Sequence, residues 1–167
     1  MINKQQIQRS LIQISRLYLK NMGNKKALFY SKIAIIELCG WIEESMDDII
    51  QSNANRFLNE KQNLDYVDDP IIKRTHGFDY QNNFRNMLVQ LIGIINVERL
   101  ERNLNSGSFL VMKSALGSLK ECRDRQAHTY IRGTTAVIDS PSVTHNRFYK
   151  VYEGLKDIES CIRKMRL

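Results

Sequence analysis

The sequence predicts an all-α protein, an antiparallel bundle of about five helices, and three observations carry that expectation. Pro70 and Pro141 are the two prolines among 167 residues, so long stretches are free of helix breakers. The Leu, Ile, Lys, Glu and Gln content favours helix. Apolar residues recur at three- and four-residue spacing through five stretches, and each stripe needs a neighbour to cover it. With 43% hydrophobic residues, positions 1–167 are long enough for one domain with its own core and too short for two.

Ile7, Leu11, Ile14 and Tyr18 place a first helix over residues 3–22, which Gly23 and Asn24 end. A long second helix starts at Lys25 and reaches towards Leu58, with Leu28, Ile35, Cys39, Ile42, Met46 and Ile49 inward and Glu43, Glu44, Asp47 and Asp48 on the wet side. Gly40 weakens it slightly and reads as a point of close crossing by a neighbour. Residues 61–80, with Asp68-Asp69-Pro70 and His76-Gly77, lose this periodicity and read as an irregular crossover with at most short helical turns. Phe84, Met87, Leu88, Leu91 and Ile95 define a third helix running to Leu100, closed by residues 103–107. The fourth, with Ser108 as its expected cap, carries Met112, Ala115, Leu116, Leu119 and Cys122 on one stripe. Residues 131–143, with Gly133, Thr134, Thr135, Ser140 and Pro141, read as a loop. Phe148, Val151, Tyr152, Leu155, Ile158, Ile162 and Met165 form the final stripe.

Composition excludes several function classes. No run reaches the roughly 18 apolar residues of a membrane span, and the first residues lack an apolar signal core, so a cytoplasmic protein without a membrane partner is expected. Cys39, Cys122 and Cys161 are odd in number and widely spaced, as reduced packing cysteines are, and His76, His128 and His145 are equally dispersed. No cluster has zinc spacing, so neither metal nor cofactor is expected. The net charge of +7 is uneven: residues 1–36 hold seven Lys or Arg and no acid, residues 37–101 six and twelve, residues 102–167 twelve and six. The basic terminal thirds would attract a polyanion if they fold together.

The chemistry of the chain concentrates in Arg123-Asp124-Arg125-Gln126-Ala127-His128-Thr129-Tyr130, where a fixed cation, a carboxylate, an imidazole and a phenol fall within one short stretch. Arg123 follows Leu119 by four positions and so lies at the edge of the apolar stripe. A guanidinium there needs an internal carboxylate, a subunit interface or a bound phosphate, because leaving it unpaired costs on the order of several kcal/mol. Asp124 and His128 are one turn apart, so the carboxylate can orient the imidazole or the arginine. On a straight helix Arg123 and His128 are about 140° apart and about 7.5 Å along the axis, which is too divergent for one compact site. Either the helix ends near Ala127 and turns His128 back, or two copies face each other across a dimer axis.

The stretch Leu119-Lys120-Glu121-Cys122-Arg123-Asp124-Arg125-Gln126-Ala127-His128 resembles the signature of the HEPN superfamily, small all-α bundles many of which are dimeric, metal-independent RNases of toxin-antitoxin and phage-defence systems. The resemblance implies a HEPN-like bundle in which Arg123 and His128 are the catalytic pair and Asp124, where the family more often has Asn, supports them. It implies an RNA substrate and a homodimer, with Arg125 and Arg132 as weaker RNA contacts. Tyr130 extends the match to the HEPN toxins paired with a nucleotidyltransferase antitoxin, and by that resemblance it is a candidate for adenylylation. The alternative is a noncatalytic helical dimerisation or interaction module that keeps the motif as a polar network.

Overall fold

The computed structural model describes residues 2–127, 131 and 137–165, and among these the chain is all-α, with seven α-helices and no strand. They are α1 (Gln5–Lys20), α2 (Lys25–Phe57), α3 (Lys61–Tyr66), α4 (Arg85–Ile92), α5 (Ile94–Asn103), α6 (Ser106–Ala127) and α7 (Pro141–Lys164). Helix α2 is the spine. Its 33 residues span about 50 Å. Its buried face, from Ala27 through Ile35, Leu38, Ile42, Met46 and Ile49 to Ala54, packs against α1, α4, α6 and α7 in one contiguous core. Asn24 starts this helix by accepting the Lys26 N–H at 3.1 Å.

The two helices beyond the expected five have local causes. The third stripe is cut at Gly93, whose φ of +78° ends α4, and α5 restarts when the Val97 N–H bonds the Gly93 carbonyl at 3.1 Å. The irregular crossover holds α3 and two π-helical turns, Val67–Lys73 and Tyr80–Phe84. Pro70 sits inside the first turn, where its missing N–H suits a widened coil better than a straight α-helix. Val67 and Ile71, four residues apart, are buried, so this segment belongs to the core.

Two boundaries differ from the sequence reading. Asn105, not Ser108, caps α6, because its side chain accepts the Ser108 N–H at 2.9 Å. Helix α7 starts at Pro141, inside the stretch read as loop, because proline is well suited to the first helical turn.

The expected close crossing at Gly40 is also corrected, since a Cβ added there would meet nothing within 4 Å. The chain instead uses Gly154, on buried α7, where an added Cβ would lie 2.5 Å from Met112 Cβ of α6. A Cβ cannot rotate away as a side-chain tip can, so the α6–α7 joint is set by this glycine. Gly154→Ala is therefore expected to destabilise the fold by about 1–3 kcal/mol in chemical denaturation. Gly117→Ala, with open space at its Cβ, is expected to stabilise by about 0.5–1 kcal/mol.

Candidate functional site

The C-terminal end of α6 brings Arg123 against the middle of α2, and Glu43 answers the arginine. Arg123 Nη1 donates to Glu43 Oε1 at 3.0 Å, while Nε and Nη2 donate to Asp124 Oδ1 at 3.0 and 2.9 Å. Of the three partners that the motif left open, the described residues supply an internal carboxylate. The side chain keeps 26% of its exposure, so it is partly desolvated yet reachable.

The floor beneath the guanidinium comes from the crossover. Phe78 is buried, and its ring centroid lies 4.9 Å from Arg123 Cζ, in cation–π contact. Asn83 fixes the turn that delivers this ring, donating from Nδ2 to the His76 carbonyl at 3.0 Å and accepting the Asp79 N–H at 3.0 Å. Gly77, with φ at +106°, makes that turn possible, since this backbone region is strained for any side chain.

Asp124 faces Arg123 and Lys120. Lys120 Nζ donates to its Oδ2 at 3.1 Å, and the two cations hold its carboxyl below the ordinary range, with the Arg123 hydrogen bond the larger cause. Of its two expected roles, orienting Arg123 is the one the described residues display. His128, Tyr130 and Arg132 lie outside the described residues. Arg125 is exposed on the last turn of α6, away from the half-buried Arg123 face.

A cleft of about 420 Å³ opens beside the guanidinium, lined by Arg123, Glu43, Asp47, Lys73, Thr75 and His76. Its α2 wall is acidic, carrying Glu43 and Asp47. The count of charges along the chain located the acids of α2 correctly but not their place next to Arg123. Glu43, Phe78 and Asp47 are the site residues that sequence reasoning missed. Burial, and then the neighbouring Glu43, Asp48 and Glu44, push the Asp47 carboxyl up from 3.8 to about 6, so it titrates near neutral pH in the same cleft as Arg123. The signal was present as the i, i+4 spacing of Glu43 and Asp47, which puts two carboxylates on one face.

The three cysteines are free, and burial raises Cys39 to about 12, so its thiol is a packing group and no nucleophile. Among the described residues no three His, Cys, Asp or Glu side chains converge as a metal site would require. No described helix is long and apolar enough to cross a membrane.

Asp47 makes a pH prediction. A carboxyl whose pKa is raised by folding supports the fold as the neutral acid, fully below its unfolded value of 3.8, and loses that support as pH rises through about 6. Asp47→Asn should therefore stabilise the fold at about pH 8 by up to about 1 kcal/mol after solvent screening, seen as a higher melting temperature, and give no gain below about pH 4. Melting curves across this range check it. In comparisons with known proteins, no family model, no curated protein and no solved structure matches the chain.

Proposed function

We propose that the chain is an endoribonuclease of a toxin-antitoxin or phage-defence system, working as a homodimeric HEPN-like bundle without a metal. The observation that carries the reading is the preparation of Arg123: a half-buried guanidinium held near the end of α6 by Glu43, Asp124 and the Phe78 face, five positions before His128 in the chain. A planar, pre-oriented guanidinium is what a trigonal-bipyramidal phosphorane needs, because its parallel N–H donors match the phosphoryl oxygens. In the reaction, the 2′-oxygen of RNA attacks the adjacent phosphorus while a base takes its proton. The P–O5′ bond breaks, the leaving 5′-oxygen receives a proton, and the products are a 2′,3′-cyclic phosphate and a 5′-hydroxyl. His128 serves the proton transfers, Arg123 the phosphoryl charge, and Asp124 the orientation of Arg123. Arg125 and Arg132 contact the RNA backbone. Adenylylation of Tyr130 by a nucleotidyltransferase antitoxin would add phosphate charge to the motif and block the site.

One observation favours a second reading. Glu43 and Asp124 already neutralise Arg123, and Asp47 adds negative charge to the cleft that RNA would enter. A noncatalytic helical dimerisation module in which these residues form a polar network accounts for that as well.

Incubating the purified protein with RNA in EDTA separates the two. Under the nuclease reading the wild type leaves cyclic phosphate ends, and Arg123→Ala and His128→Ala each reduce cleavage by about a hundredfold or more. Equal cleavage by wild type and His128→Ala removes His128 from the mechanism. No cleavage by any form, with a shifted dimer equilibrium or melting temperature in His128→Ala, selects the interaction module.

A further inference from the structure

One buried side chain near the end of α2 is chemically out of place. Asn53 is 2% exposed and continues the core stripe of Met46, Ile49 and Ile50, where an apolar residue would pack without loss. Its Nδ2 turns back to donate to the Ile49 carbonyl at 2.7 Å, which fixes the carboxamide and turns Oδ1 to the opposite side. That oxygen is buried and has no hydrogen-bond partner among the described residues. A helix interior has no N–H to spare for it, and a carboxamide oxygen cannot become a donor as a hydroxyl can. An unpaired buried acceptor is a cost that calls for a donor from outside the helix.

Asn53 lines a cavity of about 170 Å³ where the end of α2 meets the α4–α5 break, with Ala54, Phe57 and Leu58 from α2 and its cap, and Leu91, Ile92 and Asn96 from the other side. The aromatic wall is held in advance: Arg56 Cζ lies 4.9 Å from the Phe57 ring centroid, and Arg56 Nη1 donates to the Arg163 carbonyl at 2.6 Å. Asn96, like Asn53, turns its Nδ2 onto its own helix, donating to the Ile92 carbonyl at 2.8 Å. Each carboxamide thus has its nitrogen engaged within the chain and an oxygen to offer. The lining holds no ionisable side chain, so an anion would face two carbonyl oxygens and a cation no countercharge. What fits is a neutral, largely apolar molecule with an O–H or N–H. An apolar cavity of about 150 Å³ holds benzene, so this one takes a single ring or a small bicycle, and the Phe57 ring favours an aromatic one.

We propose that this cavity is a binding site for a small neutral aromatic molecule, packed by its ring against Phe57, Leu58, Leu91 and Ile92 and donating one O–H or N–H to Asn53 Oδ1. The cavity shares no lining residue with the Arg123 cleft and owes nothing to the nuclease reading. The apolar wall supplies most of the affinity, and Asn53 supplies the selectivity, because a ligand of the same shape without the donor leaves the buried oxygen unpaired.

Indole and indene have nearly the same shape, and of the two only indole carries an N–H, so the pair tests this on the full chain. Isothermal titration calorimetry should give indole a Kd in about the millimolar range or tighter, and indene a Kd at least about tenfold weaker. Nuclear Overhauser contacts in isotope-labelled wild type should set the indole ring against the methyl groups of Leu58, Leu91 and Ile92. Asn53→Leu, which leaves the helix its backbone bonds, should erase the preference for indole while indene still binds, with circular dichroism as the control for folding. The wild-type contacts decide the location whether or not that variant folds. No binding of indole up to its solubility limit, equal affinity for the two probes, contacts to methyl groups elsewhere, or a preference for indole that survives Asn53→Leu overturns the proposal.

Discussion

Burial of one long helix is the constraint from which the rest of the molecule follows. A helix of 33 residues with a continuous apolar face cannot satisfy that face with a single neighbour, so α1, α4, α6, α7 and the first π-helical turn are laid along it. That arrangement leaves α2 with a core face and a solvent face along nearly its whole length. The solvent face is where the charged residues of the chain's middle third are concentrated, and the neighbours that cover the core edge decide which of those charges meet a partner. Glu43 meets Arg123 because α6 must reach α2 to bury Leu116 and Leu119, which lie on the same face of α6 one and two turns earlier.

The site is therefore a by-product of packing that has acquired chemical order. Three carboxylates gathered around one guanidinium, two of them lining the cleft, would repel or disorder one another if their geometry were loose. Here Phe78 supports the guanidinium plane, Asn83 holds the turn that supports Phe78, and Lys120 takes the Asp124 oxygen that Arg123 does not use. The unequal fates of the acids follow: Asp124, flanked by two cations, is stabilised as the anion, while Asp47, partly buried and then flanked by Glu43, Asp48 and Glu44, is stabilised as the neutral acid. One patch of surface thus holds a permanent anion and a proton reservoir.

Much of the helical framework was legible because its signal is periodic. The stripes of α1, α2, α6 and α7 depend on residues three and four apart, and no distant contact is needed to read them. Gly93 was harder, since an isolated glycine within an apolar stripe looks tolerable until tertiary packing exploits its positive φ. The π-helical turns carry only a short signature, one four-residue spacing each in Val67/Ile71 and Tyr80/Phe84, and Val67 and Ile71 are buried through contacts with α2 that the local sequence does not encode. In the site, Arg123 and Asp124 could be singled out from their spacing and from their resemblance to a known signature. The four-residue spacing of Glu43 and Asp47 pairs two carboxylates on α2, but neither they nor Phe78 could be placed beside Arg123, because that requires segments far apart in the chain to meet.

The clamp that Asn83 places on the 76–79 turn has a consequence for how the protein is made. Phe78 and its clamp emerge from the ribosome well before Arg123, so the ring waits without its cation while α6 is still being synthesised. The guanidinium can settle only when nearly the whole of α6 is available to dock. Completion of the site is thus tied to completion of α6, and a copy truncated before it holds the acidic wall without the arginine that gives it a purpose.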